Sequence, residues 1–374
     1  MKYMGSEKTY RILIGGGGTG GHVFPAIAIA DALRERYPQA SFLFVGARGK
    51  LEMEKVPEAG YRIEGLPVAG FQRKLTLRNV SFFFKLAASM RISSRIIRKF
   101  RPRVAIGVGG YASGPILKAA ARKGVPVVIQ EQNSYAGITN RLLARSARTI
   151  CVAYEGMDRY FPSERIVITG NPVRKQLLDP GPGREKALKR LGFREDRNLC
   201  LVVGGSLGAR TLNRSMLKGL ESLEENGLQV LWQCGRLYYE QLKEAVDPEK
   251  YPGIKLQPFI REMDLAYAAA DIVVSRAGAI SISELCLVGK AVILVPSPNV
   301  AEDHQTSNAR ALVSRNAALM VADMDAEAIL VETILGLVKD EAKRKFLGEN
   351  IKKMGIGDSS ERIAAEVGKI LESG

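Results

Sequence analysis

A short apolar strand running straight into a glycine loop and then a helix occurs twice in this chain, and that doubling constrains the fold more than any other feature. Arg11-Ile-Leu-Ile14 enters Gly15-Gly-Gly-Gly-Thr-Gly-Gly-His22, and Val23 to Leu33 follows with apolar residues at helical spacing. Near the middle, Leu199-Cys-Leu-Val-Val203 enters Gly204-Gly-Ser-Leu-Gly208, with a helix expected from about Ala209 to Leu223. Strand, glycine loop, helix is the opening of a doubly wound unit. A second phrase is also doubled. Val104-Ala-Ile-Gly-Val-Gly-Gly110 passes through Tyr111-Ala-Ser-Gly114 into a helix and on to Val125-Pro-Val-Val-Ile129. Its counterpart is Asp271-Ile-Val-Val-Ser275, Arg276-Ala-Gly-Ala279, a helix, and Ala291-Val-Ile-Leu-Val295. Strands alternating with helices mean parallel sheets covered on both faces.

The expected fold class is therefore α/β, with two Rossmann-like doubly wound domains facing across a cleft at the carboxyl ends of their strands. A length of 374 residues suits two domains. The breaker-rich stretch from Asn171-Pro-Val-Arg174 to Asp179-Pro-Gly-Pro-Gly183 marks the joint. The expected division is 1–170, 171–345, and a C-terminal helix over 346–374 packing back on the first domain, within a charged amphipathic stretch from about Asp340 to Ser373.

Glycine turns before helices expose backbone N–H groups at a positive helix end, so at least two of the loops at 15–21, 107–114 and 204–208 are read as phosphate sites rather than as tight turns alone. A dinucleotide oxidoreductase is disfavoured. Its ribose carboxylate should end the second strand, which here reads Phe42-Leu-Phe-Val-Gly46-Ala-Arg. A P-loop is excluded, because no Gly-Lys-Ser/Thr follows any loop. A candidate ribose carboxylate appears later, in Arg276-Ala-Gly-Ala-Ile-Ser-Ile-Ser-Glu284, although a Glu there also complements the helix dipole.

The balance of 55 Lys plus Arg against 39 Asp plus Glu, a net +16, calls for anionic partners: nucleic acid, anionic lipid or a phosphorylated substrate. From Gly65 to Gln130 there is no acid at all. Arg73, Lys74, Leu75, Leu77, Arg78, Phe82 and Lys85 interleave cations with apolar residues there, as suits an anionic membrane surface. The bland alternative is a basic helix whose Phe82 to Phe84 face the core. No nucleic-acid motif accompanies the stretch, so no nucleic-acid partner is expected. Cys151, Cys200, Cys234 and Cys286 are scattered, which argues against a zinc site or disulfides and for a reducing compartment. The opening residues lack a signal-peptide pattern and no apolar run is long enough to span a bilayer, so a cytosolic location is expected.

Seven motifs stand in order: Gly17-Gly-Thr-Gly-Gly-His22, Gly109-Gly-Tyr-Ala-Ser-Gly114, Glu131-Gln-Asn133, Gly170-Asn-Pro-Val-Arg174, Gly204-Gly-Ser206 with Gly208-Ala209, Arg276 through Glu284, and His304-Gln305 with Asn308. With these the chain resembles the MurG family of bacterial transferases. That family adds N-acetylglucosamine from UDP-N-acetylglucosamine (UDP-GlcNAc) to undecaprenyl-pyrophosphoryl-MurNAc-pentapeptide, lipid I, giving lipid II with inversion. The resemblance runs from about residue 11 to 310. It implies a GT-B fold, no cofactor, and a peripheral enzyme on the cytoplasmic face of the plasma membrane.

By the resemblance, Glu284 would hold the ribose of the donor and Ile260 would border the uracil. Ser206, Arg174 and the helix start Ala279, Ile280, Ser281, Ile282 and Ser283 would hold the diphosphate, while Gln305 and Asn133 touch the sugar. Thr19, Gly20 and Gly21 would close over the donor. The segment Gly107 to Gly114, with Gly109, Gly110, Tyr111, Ser113 and Gly114, would hold the acceptor beside Gly18 and His22. Leu207 and Gln130 depart from the family's usual Gln and His. His22 is the candidate base for the MurNAc 4-hydroxyl, with loop fixing as its alternative role. Asp323-Met-Asp325 is read as helix capping rather than metal binding. Two other readings remain: another lipid-acceptor GT-B transferase, such as one acting on diacylglycerol, and a non-catalytic sugar-nucleotide binder.

Overall fold

The structure is a computed structural model that describes residues 10–68, 78–173, 177–178, 181–205, 207–299 and 303–373. It divides into two compact units, Met1–Val173 with Asp358–Gly374, and Arg174–Gly357.

The first unit is built on β1 (Arg11–Gly15), β2 (Ser41–Ala47), β3 (Ile63–Leu66), β4 (Val104–Gly107), β5 (Val127–Glu131), β6 (Thr149–Val152) and β7 (Ile166–Ile168). All neighbours pair parallel, in the order β3-β2-β1-β4-β5-β6-β7. The order reverses between β1 and β4, with Gly15 in register with Val45 on one side and Gly107 on the other. That reversal opens a crevice at the strand ends, and both of the unit's glycine loops leave from it. Alternation along β1 feeds two cores. Ile12 and Ile14 pack with Ile29 and Leu33 of the helix Gly20–Arg36 and with Ile363 and Val367 of the helix Ser359–Glu372. Leu13 faces the other way, onto Ile96, Ile116 and Leu117.

The second unit repeats the plan with β8 (Leu199–Val203), β9 (Gln229–Gln233), β10 (Ile254–Gln257), β11 (Ile272–Ser275), β12 (Ala291–Leu294) and β13 (Leu319–Met320). Its order is β10-β9-β8-β11-β12-β13, also parallel and also reversing beside its first strand. The single tryptophan, Trp232 on β9, is fully buried and donates its indole N–H to Asn213 at 3.1 Å.

Three boundaries differ from expectation. The helix expected over 209–223 is two, Arg210–Lys218 and Leu220–Glu225, broken at Gly219, where an added Cβ would stand 2.4 Å from Val331. The C-terminal stretch is also two helices. Glu341–Lys352 packs in the second unit against the helix Ala279–Val288 and β12, so the chain returns to the first unit at Asp358 rather than at 346. Asn171 stays with the first unit, accepting from Gln130 Nε2 and donating to the Gln132 carbonyl, each at 2.9 Å. No helix among the described residues is long and apolar enough to cross a membrane.

Candidate active site

In the first unit the chain leaves β1 through two left-handed glycines, Gly17 (φ 138°) and Gly18 (φ 94°), and enters the helix Gly20–Arg36 with Thr19 as its N-cap residue. The loop after β4 lies directly against it. Gly109 (φ 91°) and Gly110 (φ 83°) both need the left-handed region, and a Cβ on Gly110 would come within 2.2 Å of the Gly17 carbonyl oxygen. A Cβ on Gly109 would come within 2.9 Å of His22 Nε2. The other ring nitrogen, Nδ1, lies 3.2 Å from Thr19 Oγ1. His22 is thus held on the helix's first turn, between the Thr19 hydroxyl and the Gly109 backbone.

Several residues expected to touch ligands have internal tasks. Ser113 is fully buried and donates its hydroxyl to the Gly15 carbonyl at 3.0 Å, tying the two loops together instead of facing an acceptor. The Gly18 N–H, expected to face the acceptor, is taken by Glu52 Oε2 at 2.8 Å. Tyr111 is 59% exposed and Gly114 lies against Thr139. Asn133 sits in a loop organised by the buried Glu131 carboxylate, which accepts from Asn133 N and Nδ2, Gly137 N and Asn140 Nδ2 at 2.9–3.1 Å. Gln130, the departure from the family pattern, is buried and hydrogen-bonded to both Gln132 and Asn171.

In the second unit the glycine loop after β8 turns through Gly205 and Gly208, both at φ 84°. A Cβ on Gly208 would meet the Cys234 carbonyl at 2.1 Å, so main chain packs on main chain there. Leu207 is 67% exposed, so this departure faces solvent. Ser206 and Arg174 lie outside the described residues, as do Arg73, Lys74, Leu75 and Leu77.

Gly278, in extended backbone, caps the helix Ala279–Val288. Along that helix Ala279, Ile280, Ser281 and Ser283 are half-buried, whereas Ile282 is 1% exposed and points into the core. Any contribution of Ile282 to a diphosphate is through its backbone. Glu284 is 2% exposed, and its Oε2 accepts from the Tyr267 hydroxyl at 3.4 Å. Ile260 is buried, with its N–H on Gln233 Oε1 at 2.9 Å, and Gln305 accepts from Ser297 N at 2.8 Å.

Asp323 is not a helix cap. It pairs with Arg276 Nη1 and accepts from Thr211 Oγ1 at 2.9 Å. Arg276 also donates to the Val295 and Pro296 carbonyls, at 3.0 and 3.3 Å. The N-cap residue of the helix Ala326–Lys339 is Asp325 alone, without a side-chain cap bond. Sequence reasoning passed over Glu52, Glu131 and the Arg276–Asp323 pair as organisers of these loops. The pair joins residues far apart in the chain and leaves no local signature, whereas Glu131 stood inside a recognised motif.

Two parallel doubly wound units, each with glycine loops at its switch point, are the plan of the GT-B fold. Residues 12–152 match the glycosyltransferase family 28 N-terminal domain and residues 199–363 the family 28 C-terminal domain. A UDP-N-acetylglucosamine–N-acetylmuramyl-(pentapeptide) pyrophosphoryl-undecaprenol N-acetylglucosamine transferase of Bacteroides thetaiotaomicron is 54% identical, covering 98% of this chain and 99% of its own. The same transferase of Parabacteroides distasonis is 53% identical, covering 98% and 99%. The crystal structure of Acinetobacter baumannii MurG superimposes with a TM-score of 0.79 at 27% identity, covering 96% of this chain and 99% of that one. The chain belongs to this MurG family of N-acetylglucosamine transferases, within glycosyltransferase family 28.

Proposed function

We infer that this protein transfers N-acetylglucosamine from UDP-GlcNAc to the MurNAc 4-hydroxyl of lipid I, with inversion, making lipid II for peptidoglycan synthesis. The observation that carries this is 54% identity to a transferase of that name over nearly the whole chain. In this reading the second unit holds the donor. Glu284 takes the ribose hydroxyls and Ile260 borders the uracil, while Gln305 reaches the sugar. Ser206, Arg174 and the backbone N–H groups opening the helix Ala279–Val288 stabilise the departing diphosphate. The Arg276–Asp323 pair braces the strand ends beneath this helix start, with Arg276 donating to the Val295 and Pro296 carbonyls just past β12.

The first unit holds the acceptor on the segment 107–114, and His22 removes its proton. Thr19, Gly20 and Gly21 then close on the donor, with Asn133 at the sugar. The Gly109 backbone and the Thr19 hydroxyl flank the imidazole and orient it, as a base requires. The protein works at the cytoplasmic face of the bacterial plasma membrane, docked peripherally through its acid-free basic stretch, and has no nucleic-acid partner.

Incubation with UDP-GlcNAc and a lipid I analogue tests the whole reading. UDP should be released only when the acceptor is present. Donor binding without turnover would identify a sugar-nucleotide binder instead, and transfer to diacylglycerol would identify a different lipid-acceptor enzyme.

A further inference from the structure

Glu52 has no part in the reading above, yet it is one of the most constrained side chains in the first unit. It is 1% exposed and opens the short helix Glu52–Glu58 after β2. Its Oε1 accepts the Ala47 N–H and its Oε2 the Gly18 N–H, both at 2.8 Å. Two glycines make room for it. A Cβ on Gly17 would stand 2.3 Å from Glu52 Cδ, and one on Gly46 would stand 2.4 Å from its Cγ. A carboxylate buried this deeply is costly unless strong donors hold it, so its placement against the loop calls for a reason.

The loop it grips is of the kind that elsewhere cradles a phosphate by its N–H groups. Here an internal anion already takes the Gly18 N–H. The corresponding loop of the second unit is met by main chain instead, the Cys234 carbonyl lying 2.1 Å from a Cβ placed on Gly208. From Glu52 a continuous set of contacts leads to the imidazole. The Gly17 carbonyl abuts Gly110, Gly109 abuts His22 Nε2, and Thr19, next to Gly18, meets His22 Nδ1 at 3.2 Å.

We propose that Glu52 is a positioning residue for the transfer: it replaces a phosphate on the first glycine loop and holds that loop so that Thr19 and Gly109 orient His22. This rests on His22 being the base. Glu52→Gln is nearly isosteric but turns an amide N–H toward one of the two backbone donors, so the loop must shift. In the full-length protein, turnover should fall about 10–100-fold, as a misplacement near 1 Å produces. UDP affinity by calorimetry should stay within about twofold of wild type, because the nucleotide is held by the other unit.

The decisive measurement is the double-mutant cycle. Glu52→Gln added to His22→Ala should cost no more than about twofold beyond His22→Ala alone, since its effect passes through the imidazole. Losses that multiply would overturn the proposal, as would normal turnover of a folded Glu52→Gln or a parallel fall in UDP affinity. If His22→Ala itself turns over normally, the base assignment fails whatever Glu52 does. If His22→Ala is slow and Glu52→Gln is not, only the present proposal fails. Glu52→Asp keeps the charge but cannot span both donors, and should show a partial loss with the same non-additivity. Should neither variant fold by circular dichroism, Glu52 is a core strut and the proposal is wrong.

Discussion

At the scale of single residues, burial decides what a side chain can do. Glu284 is nearly inaccessible, on the second turn of a helix whose first turn carries the proposed diphosphate donors. A carboxylate there can hold ribose hydroxyls through charge-assisted bonds worth about 1.5–3 kcal/mol. Glu284→Ala should therefore weaken UDP binding by about one to two decades in calorimetry. Unchanged affinity in a folded variant would assign the carboxylate to the helix dipole. The cysteines show burial as the leading cause, alone at Cys286 and joined by the Glu366 charge at Cys151. Burial pushes the Cys151 thiol up from 9.0 to about 12, and Cys286 likewise to about 12. The native thiols stay protonated while the unfolded chain ionises above about pH 9. The native state then binds more protons, so this contribution is intact below pH 9 and is lost as pH rises toward 12. Urea titrations at pH 7.5 and 10 should show stability falling, with Cys151→Ala flattening the slope by at most about 1.4 kcal/mol per pH unit. An unchanged slope would mean that Cys151 is not shifted.

At the scale of elements, the two loops of the first unit act as one object. Gly110 cannot gain a side chain, because its φ of 83° is left-handed and a Cβ would strike the Gly17 carbonyl at 2.2 Å. Gly110→Ala should cut turnover by about 100-fold or more while UDP affinity holds, since it displaces the acceptor loop against its neighbour. Normal turnover would show that the contact is not needed. The strands, their glycine loops and the doubling of the plan were legible in the sequence, because apolar runs and glycines are local signals. So was the motif set that carries the family. The broken helix at Gly219 was not, since Val331, which packs where a side chain at 219 would stand, is remote in sequence. Nor was the division of the C-terminal stretch, where both helices are amphipathic but each finds its core in a different unit. Glu52 escaped for a related reason. The end of β2, where a ribose carboxylate would stand, carries none, and Glu52 returns to the glycine loop from the following helix.

At the scale of the whole molecule, a net charge of +16 on an enzyme of this family favours an anionic surface. The helix Arg78–Phe100 enters the acid-free stretch with Phe84 74% exposed, Leu86 36% exposed and Lys85 also exposed between them. Phe84 therefore does not face the core. A large aromatic left in water beside cations is a recurring feature of interfacial segments. Each cation near an anionic membrane contributes about 1 kcal/mol, screened beyond a Debye length, whereas buried aromatic area adds a term that salt leaves intact. Vesicle co-sedimentation should then be strong with anionic lipid, weak with neutral lipid and only partly salt-sensitive. Replacing Arg73, Lys74 and Arg78 with Gln should remove most of the salt-sensitive part, and Phe84→Ser the salt-resistant part. Both variants should keep full activity on a soluble short-chain acceptor, because docking and transfer use different residues. If the triple variant binds vesicles as wild type does, or loses soluble-acceptor activity in step with binding, the acid-free stretch is not the docking surface.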